Sequence, residues 1–558
     1  MADSIPRKTT VLVIGAGPGG SYAASALARE GIDVTLLEAE KFPRYHIGES
    51  MVPSIRHFLK LIDIDKKFDA HGFQKKVGRS YANSECGSED TDFILKTGPD
   101  SYAWNVIRSE SDNLLFQHAG KCGAHNFDQT KVSEIRFEPL TGKDAKDEEG
   151  GEAAEGASRP VSATWTRKNG TSGTISFDYL VDASGRAGMV STKYLKNRSF
   201  NGELKNVATW GYWRGAISYG VGTAKEGQPF FEALADGSGW IWFIPLHNGT
   251  TSVGVVMNQQ KATAKKQTRD LPPRDFYLSC ITQDGPGISH LLKDAHLESE
   301  LKHASDWSYS ASRYAGPYYR IVGDAGAFID PYFSSGCHLA YSGALSAAVT
   351  ICASIKGQAS EHFCWDWHSH LIAQRYTRFL LVVLSATKQI RQQDVPVLND
   401  YKCDNFDHAF NVIRPVIQGL SDVGGGATKE EIDDAVNLSL DAVGRNNPAE
   451  KAKVESSLEK VNGHQGNAKD GEWQNVVSEK MQHHEMAIMK HVKHVLGDFF
   501  AENKYNGMSA SVQRGVLGLV PTQAEDTRPQ IGNVEKVDVK QLMQTKVAED
   551  QPVVIDVA

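Results

Sequence analysis

The first forty residues restrict the fold of this chain more than any other segment does. Residues 10–14 form a mostly apolar, β-branched run, which is typical of a strand buried on both faces of a parallel sheet. A glycine-rich turn follows, then an alanine-rich helix over 21–30 and a second apolar strand over 34–37. This order predicts a βαβ unit, and therefore an α/β fold built on a parallel sheet.

The glycine-rich turn has the spacing G-x-G-x-x-G, with glycines at Gly15, Gly17 and Gly20. Such glycines permit a tight turn and let a pyrophosphate approach the start of the helix. Glu38 follows at the end of the second strand, where a carboxylate can hold a ribose hydroxyl. Strand, turn, helix and acid in this register predict a dinucleotide site, although the glycines alone would also fit a simple βα turn.

Residues 323–336 contain a second candidate binding loop. They follow an apolar strand and precede a long apolar helix, which we predict over 337–355. The start of a helix leaves backbone N–H groups unpaired and carries partial positive charge, so it attracts an anion. Gly336 closes the loop, and small residues there let a ligand come close to the backbone. The pattern therefore predicts an anion site at Gly336.

The composition and charge indicate which kind of partner and which cellular compartment to expect. The chain has 558 residues and a net charge of −8, with no basic stripe, so we expect no nucleic-acid partner. Its seven cysteines are scattered without a C-x-x-C pair, which favours a reducing, cytoplasmic compartment. The amino terminus lacks a signal-peptide core, and the apolar run at 379–384 is too short to span a bilayer. We therefore expect no membrane span.

Two distant segments favour FAD over NAD as the dinucleotide. One is residues 181–186, which follow a strand, and the other is residues 320–325, which contain Gly-Asp-Ala. The second resembles the segment that closes the FAD domain of flavoprotein hydroxylases, where an acid matching Asp324 holds the ribityl chain. Arg108 resembles the arginine that also touches FAD in those enzymes, although an isolated arginine is more often a surface residue.

Three further motifs carry a more specific resemblance. Residues 240–245 read W-x-W-x-I-P, residues 73–78 read F-x-x-K-x-G, and residues 43–50 include R-x-x-I-G-E-S. Taken singly, two tryptophans on one face of a strand indicate core packing, and a lysine pair indicates a solvated surface. Together with G-x-G-x-x-G, over residues 8–420, these motifs resemble the flavin-dependent halogenases, in particular the fungal members that act on polyketide-derived phenols.

The resemblance implies a fold of three parts. These are a Rossmann-like FAD-binding domain of the flavoprotein hydroxylase type, a mixed β-sheet substrate domain and a mainly helical carboxyl-terminal region. The expected bounds are 8–80, 100–135, 161–190 and 316–360 for the first, 81–99 and 191–315 for the second, and 361–558 for the third. We also expect a flexible surface insert at 141–159 and an amphipathic helix at 474–502.

The resemblance also implies the cofactor chemistry. A separate NAD(P)H-dependent flavin reductase supplies reduced FAD, and O2 and chloride or bromide are consumed to make hypohalous acid. The halide sits against the backbone amides of residues matching Ser335 and Gly336. Arg44 and Glu49 belong to the segment that lies beside the flavin.

In the same family the hypohalous acid crosses to a lysine, which matches Lys76. Lys75 is the alternative, which the motif spacing disfavours without excluding it. The residues matching Trp240, Trp242 and Pro245 separate the flavin from the substrate, and this separation blocks direct hydroxylation.

The sequence departs from tryptophan halogenases at one informative position. Those enzymes have a glutamate just before the serine of the halide loop, whereas this chain has Phe333. A phenol carries its own electron donor and needs no such acid, so the departure favours a phenolic substrate over tryptophan.

Three other functions remain open. One is a class A FAD hydroxylase, although Ser334 replaces the first glycine of that family's P-x-x-G-x-G loop. The others are a halogenase that acts on a carrier-bound substrate and an FAD-binding assembly partner without activity. The carboxyl-terminal helices could cap the substrate pocket or form the face of a homodimer.

Overall fold

A computed structural model describes residues 4–83, 87–92, 101–141, 158–391, 406–423, 427–444 and 504–522. Most of the insert predicted at 141–159, and all of the helix predicted at 474–502, lie outside the described residues.

The strands belong to two large sheets and two small ones. In chain order they are β1 (Lys8–Ile14), β2 (Val34–Leu37), β3 (Gln74–Lys76), β4 (Gly78–Asn83), β5 (Gly87–Asp92), β6 (Ala103–Asn105), β7 (His125–Phe127), β8 (Thr130–Pro139), β9 (Ser158–Arg167), β10 (Ser172–Asp182), β11 (Arg198–Arg214), β12 (Phe230–Ala233), β13 (Gly239–Pro245), β14 (Thr250–Asn258), β15 (His296–Leu297), β16 (Lys302–Ala311), β17 (Ala315–Gly316), β18 (Tyr319–Ile321), β19 (Ala327–Phe328), β20 (Lys504–Tyr505), β21 (Met508–Ser511) and β22 (Gly518–Pro521).

The helices pack on both large sheets. In chain order they are α1 (Pro18–Arg29), α2 (Ile55–Leu61), α3 (Asp65–His71), α4 (Arg108–Lys121), α5 (Gln259–Arg269), α6 (Pro273–Asp284), α7 (Pro286–Leu291), α8 (Gly336–Ile355), α9 (Glu361–Arg391), α10 (Phe406–Ile417) and α11 (Lys429–Gly444).

The first large sheet confirms the predicted α/β fold. Its central strands run in the order β17-β18-β10-β1-β2-β7, and β1 is parallel to both β2 and β10. Val11 and Val13 are fully buried, as expected of a strand covered on both faces. Strands β1, β10 and β18 end at Ile14, Asp182 and Ile321. The loops that follow them therefore meet at one edge of the sheet, where ligands of such folds bind.

The second large sheet has the order β19-β16-β11-β14-β13-β12-β4-β5 and is mostly antiparallel. Strand β13 carries the W-x-W-x-I-P motif between β12 and β14. Strand β3, which carries Lys76, pairs instead with β6 in a separate two-stranded ribbon. The chain passes from this ribbon directly into β4, so the ribbon connects the two large sheets.

Helix α8 lies beside the first large sheet, where it contacts β18. It packs against α1 and α9, and residues such as Ala344, Ala348 and Ile351 are fully buried. Among the described residues it is the single helix with the length and hydropathy of a membrane span, yet 72% of the apolar window is buried within the protein. Its apolar composition is that of a core helix.

The described carboxyl-terminal residues are not all helical. Helices α9, α10 and α11 pack together beside the second large sheet. Residues 504–522, however, form a three-stranded antiparallel sheet of β20, β21 and β22. This small sheet docks near α1 and α8, where the Lys356 ammonium donates to the Leu517 carbonyl at 2.8 Å. The pattern of these residues is too short and weak to predict strands from the sequence.

Candidate active site

The glycine turn after β1 is as tight as its spacing predicts. Gly15 has a φ of +91°, and a Cβ there would lie 2.3 Å from the Ala183 carbonyl oxygen. A Cβ on Gly20 would lie 1.8 Å from the Gly15 carbonyl oxygen. The Glu38 carboxylate accepts a hydrogen bond from the Ala16 N–H at 2.7 Å. Turn and acid are therefore held together at the start of α1, as a dinucleotide site requires.

Arg108 and Arg44 converge on a buried acid, Asp112. The Arg108 guanidinium binds Asp112 through two hydrogen bonds of 2.9 and 3.0 Å, and Arg44 reaches the same carboxylate at 3.1 Å. Burial favours the neutral acid, but the two arginines outweigh it and lower the pKa of Asp112. Arg108 also donates to the Ile47 carbonyl at 2.8 Å, which ties α4 to the R-x-x-I-G-E-S segment.

Asp324 lies in a single 3-10 turn directly after β18. Burial raises the pKa of its carboxyl group, against the charges of Arg186, Arg108 and Arg198. Its backbone carbonyl accepts a hydrogen bond from the Tyr309 hydroxyl at 2.6 Å. The structure gives the Asp324 carboxylate no direct bond to Glu38 or Arg44, so these groups lie at separate points of the same edge.

These residues fit an FAD molecule. The glycine turn leaves no room for side chains beside the start of α1, and Gly17 lies near the Arg44 guanidinium, which a Cβ would approach to 3.5 Å. Acids and arginines stand at the ends of three adjacent parallel strands or next to them. Diphosphate, ribose and ribityl groups need such donors and acceptors.

The start of α8 has the features of an anion site. Ser335 occupies the N-cap position of the helix and is fully buried. Its Oγ makes no hydrogen bond. The first backbone bond here runs from the Leu339 N–H to the Ser335 carbonyl at 2.9 Å, so earlier N–H groups remain for a ligand. A Cβ on Gly336 would meet no atom within 4 Å. The absent side chain thus leaves open space beside these donors.

Lys76 is a fully buried amine, whereas its neighbour Lys75 is exposed. The Lys76 amine donates to the Ser50 hydroxyl and to the Met51 carbonyl, both at 2.7 Å. Burial, with a smaller contribution from the Arg79 charge, lowers its pKa well below the ordinary value. Burial therefore drives the Lys76 amine toward its neutral form, which is the reactive form of an amine.

Glu49 is a buried acid close to the same segment. Its Oε1 accepts a hydrogen bond from the Tyr212 hydroxyl at 2.7 Å, while its Oε2 makes none. Burial raises the pKa of Glu49 to about 7, against the hydrogen bonds of Ser252 and Tyr212 and the charge of Arg108. A side chain with this pKa changes charge near neutral pH.

We expect Glu49→Gln to flatten the pH dependence of stability between about pH 4.5 and pH 7. In this window the folded protein keeps a proton that the unfolded chain releases, because the folded pKa is raised from 4.5 to about 7. Wild-type stability therefore falls as the pH rises through the window, and the variant should gain on the order of 1–3 kcal/mol relative to it.

Unfolding midpoints of the cofactor-free protein measured across this range test the effect. The exposed Glu300→Gln serves as control, and parallel pH profiles for wild type and Glu49→Gln would contradict it.

Trp240 and Trp242 lie on one face of β13, with ring centroids 5.9 Å apart. The ring centroids of Trp240 and Tyr332, a residue of the loop at 323–336, lie 5.1 Å apart, and the Trp242 indole donates to the Ser252 hydroxyl at 3.1 Å. At the end of the strand the Asn105 amide donates to the Pro245 carbonyl at 3.2 Å. The pair is buried, as core packing predicts, and it also lies against the loop that leads into α8.

Aromatic side chains from five elements of the chain surround this region, and we call them the aromatic cluster. Its members are Tyr81, Phe231, Trp240, Tyr332, Phe333 and Phe410. The Arg79 guanidinium is buried beside it, 5.7 Å from the Tyr81 ring centroid and 5.8 Å from that of Phe333. Phe410 belongs to α10, so the carboxyl-terminal region covers part of the cluster.

A buried network anchors the beginning of α8, and the motifs do not reveal it. The His338 ring lies between the Ser54 hydroxyl at 2.8 Å and the Asp422 carboxylate at 2.6 Å. Arg378 binds the same carboxylate at 2.9 Å, and Arg375 lies 3.8 Å from it. Although burial favours the neutral acid, Arg378, His338 and Arg375 lower the pKa of Asp422. Asp112 has a weak sequence signal, four residues after Arg108 on one helix, whereas Asp422 has none because it lies 84 residues from His338.

The sequence model of the tryptophan halogenase family matches residues 10–138 and 161–384. The chain belongs to this family. The halogenase is 54% identical over 519 residues to the flavin-dependent halogenase otaD of Aspergillus carbonarius, covering 92% of this chain and 99% of that protein. It is 49% identical over 551 residues to the sulochrin halogenase gedL of Aspergillus terreus, covering 97% of each.

Solved structures confirm the fold of the halogenase. The chondrochloren halogenase CndH, a myxobacterial FAD-dependent halogenase, superposes with a TM-score of 0.61 at 26% identity, over 78% of this chain and 97% of that one. The halogenase is therefore a flavin-dependent enzyme, which confirms the resemblance read from the motifs. The individual roles of Lys76, Ser335 and the tryptophan pair stay predictions.

Proposed function

We propose that the halogenase chlorinates a free, electron-rich phenol of polyketide origin by passing hypochlorous acid to Lys76. The observation that carries this proposal is the Lys76 amine, which is fully buried and bonded to the Ser50 hydroxyl and the Met51 carbonyl. Lysine is rarely buried in full, so a fully buried interior amine is a functional candidate.

Several residues are suited to holding FAD. Gly15, Gly17 and Gly20 leave the start of α1 open to the diphosphate, and Glu38 can accept a ribose hydroxyl. The four other residues of the proposed set are Arg44, Glu49, Arg108 and Asp324. Reduced FAD, received from a separate NAD(P)H-dependent reductase, would supply two of the four electrons that reduce O2, and the halide would supply the other two as it becomes hypohalous acid.

The start of α8 is suited to holding the halide. The backbone amides of Ser335 and Gly336, at the positive end of a 20-residue helix, are hydrogen-bond donors for a small anion. The buried Ser335 Oγ, which makes no hydrogen bond within the protein, offers another donor. The open space at Gly336 gives the anion room to lie next to the backbone.

The lowered pKa of Lys76 suits it to the transfer step. A neutral amine has a lone pair that attacks the chlorine of hypochlorous acid, forming an N–Cl bond while water leaves. Alternatively the amine hydrogen-bonds to hypochlorous acid and directs it. In the first case the phenol ring attacks the chlorine of the chloramine, the N–Cl electron pair stays on nitrogen, and the proton lost by the ring restores the amine. In the second case the ring attacks the chlorine of hypochlorous acid, hydroxide leaves and takes the ring proton as water, and the amine is unchanged.

The tryptophan pair supports a division of the interior. Trp240 and Trp242, followed by Pro245, would separate the flavin from the phenol, so that direct hydroxylation is suppressed. The aromatic cluster offers ring faces to a flat substrate. Within it Phe333 takes the place of the glutamate of tryptophan halogenases and is fully buried. An apolar residue here fits a substrate that is already activated by its own hydroxyl group.

The proposal is tested by product analysis. The purified halogenase is incubated with FAD, a flavin reductase, NADH, chloride and a panel of resorcylic and orsellinic phenols, some of them loaded on a carrier protein. Mass spectrometry should find the paired isotope peaks of chlorine on free phenols. A single added oxygen would indicate a hydroxylase, chlorination of loaded phenols alone would indicate a carrier-bound substrate, and no product would favour an inactive FAD-binding protein.

We expect bromide to replace chloride in this reaction. A site made of backbone amides at a helix start, open at Gly336, selects anions by charge and only weakly by size. Assays with excess bromide should therefore yield brominated phenol at a rate within about 200-fold of chlorination, since small size differences in a pocket cost only about 1–3 kcal/mol. Chlorinated product in chloride but no brominated product in excess bromide would contradict this expectation.

A further inference from the structure

Three side chains far apart in the sequence form a compact group at the surface of the halogenase. The Glu110 Oε2 lies 2.6 Å from the His71 Nε2 and 3.2 Å from the His247 Nε2. One ligand atom from each residue lies within 4.8 Å of the other two. Among the residues that the structure describes, no other group of three His, Cys, Asp or Glu side chains meets this condition.

The group joins three segments that carry proposed functions. His71 ends α3 and lies five residues before Lys76. Glu110 lies in the first turn of α4, two residues after Arg108. His247 follows β13, the strand of Trp240. Its place at the junction of these segments distinguishes the group from an isolated surface ion pair.

The packing around the group holds the two imidazole rings in place. Phe73 is the first residue of the F-x-x-K-x-G motif. Its ring centroid lies 4.3 Å from that of the His71 ring and 5.3 Å from that of the His247 ring. The His247 Nδ1 is buried and makes no hydrogen bond, whereas the Nε2 faces the Glu110 carboxylate. A metal ion bound at Nε2 would take the place of the proton that faces Glu110, and the imidazole proton would then lie on Nδ1.

We propose that His71, Glu110 and His247 bind a divalent transition-metal ion, with Zn²⁺ as the best match. Two imidazoles and one carboxylate are ligands that zinc prefers, and in a tetrahedral site such atoms lie about 3.3 Å apart. The spacing within 4.8 Å requires only small side-chain rotations to reach this geometry. All three side chains are partly exposed, at 21–36%, so the ion can enter from solvent and keep a water ligand.

Such an ion would cross-link three segments of the chain. It would connect the end of α3, the start of α4 and the turn after β13, and so hold the Lys76 ribbon against the tryptophan strand. This role is independent of the halogenation chemistry proposed above, so it can be tested without substrate.

The test uses full-length, FAD-reconstituted protein without a histidine tag, stripped with EDTA and dialysed. CoCl₂ is titrated in while the visible absorption of bound Co²⁺ is followed, and Zn²⁺ is then added as competitor. We expect one Co²⁺ per chain, displaced by Zn²⁺, with a higher thermal unfolding midpoint in Zn²⁺. Hydrogen exchange of residues 71–76 and 245–249 should slow when Zn²⁺ binds.

Two variants locate the site. Glu110→Gln keeps a side chain that can still accept from the histidines, and His247→Gln removes one ligand, so each should lower Co²⁺ affinity more than about tenfold. His290→Gln, at an exposed histidine elsewhere, should leave the affinity unchanged. No Co²⁺ absorption in wild type, or equal affinity in wild type and both variants, would overturn the proposal. Circular dichroism of each variant confirms that it is folded.

Discussion

Replacing Lys76 with alanine should abolish halogenation while FAD still binds. The variant lacks the buried amine that we propose receives hypohalous acid, so the proposed phenol would be left without its halogen donor. We expect the rate of product formation to fall at least ~100-fold, as when a group acting directly on the reactants is removed. Consumption of NADH and formation of hydrogen peroxide should continue, because the Lys76 amine donates to Ser50 and Met51, and neither residue belongs to the proposed FAD-binding set. Mass spectrometry of the product and a peroxide assay measure both effects.

The chain provides a matched control one residue away. Lys75 is exposed and lies 4.5 Å from the Tyr102 ring centroid, so Lys75→Ala removes an amine from the opposite face of the same strand and should keep full activity. Lys76→Met fills the same space without an amine, and it separates loss of chemistry from loss of packing. Chlorination retained in Lys76→Met, or lost in Lys75→Ala alone, would refute the assignment.

Asp422→Asn should destabilise the folded halogenase by about 3–5 kcal/mol. The change keeps the size of the side chain but removes the charge that Arg378 and Arg375 face in a fully buried position. Two buried guanidinium groups would then lack this counterion, and the His338 ring would lose its carboxylate partner. Urea denaturation followed by circular dichroism at neutral pH measures the loss, because the lowered pKa keeps Asp422 ionised there.

A surface acid provides the comparison for Asp422. Asp294 is 75% exposed and lies 3.9 Å from Lys293, so Asp294→Asn should change stability by less than about 0.5 kcal/mol. The Asp422 variant should also need a higher halide concentration for half-maximal activity, because His338 lies in the first turn of α8, where the halide is proposed to bind. Equal stability of the two variants would show that the buried network does not anchor this helix.

The parts of the fold that follow from local pattern were predictable. The βαβ unit and the helix that follows the loop at Gly336 come from the period of apolar residues and from glycine, which act over a few neighbours. The observed bounds, such as α8 at Gly336–Ile355 against the predicted 337–355, differ by one to three residues at helix ends. Pairing between distant strands, such as β12 with β4, has no local signal.

The sequence alone determined the cofactor fold and the family. Its motifs consist of contiguous residues whose spacing meets a requirement of the ligand, so Gly15, Glu38 and the W-x-W-x-I-P strand can be recognised without coordinates. Only the tertiary structure decided which lysine is buried, and it did so because β3 turns Lys76 inward onto Ser50 and Met51. It alone joined His338 to Asp422, and His71 to Glu110 and His247, since burial and charge pairing depend on segments that meet only after folding.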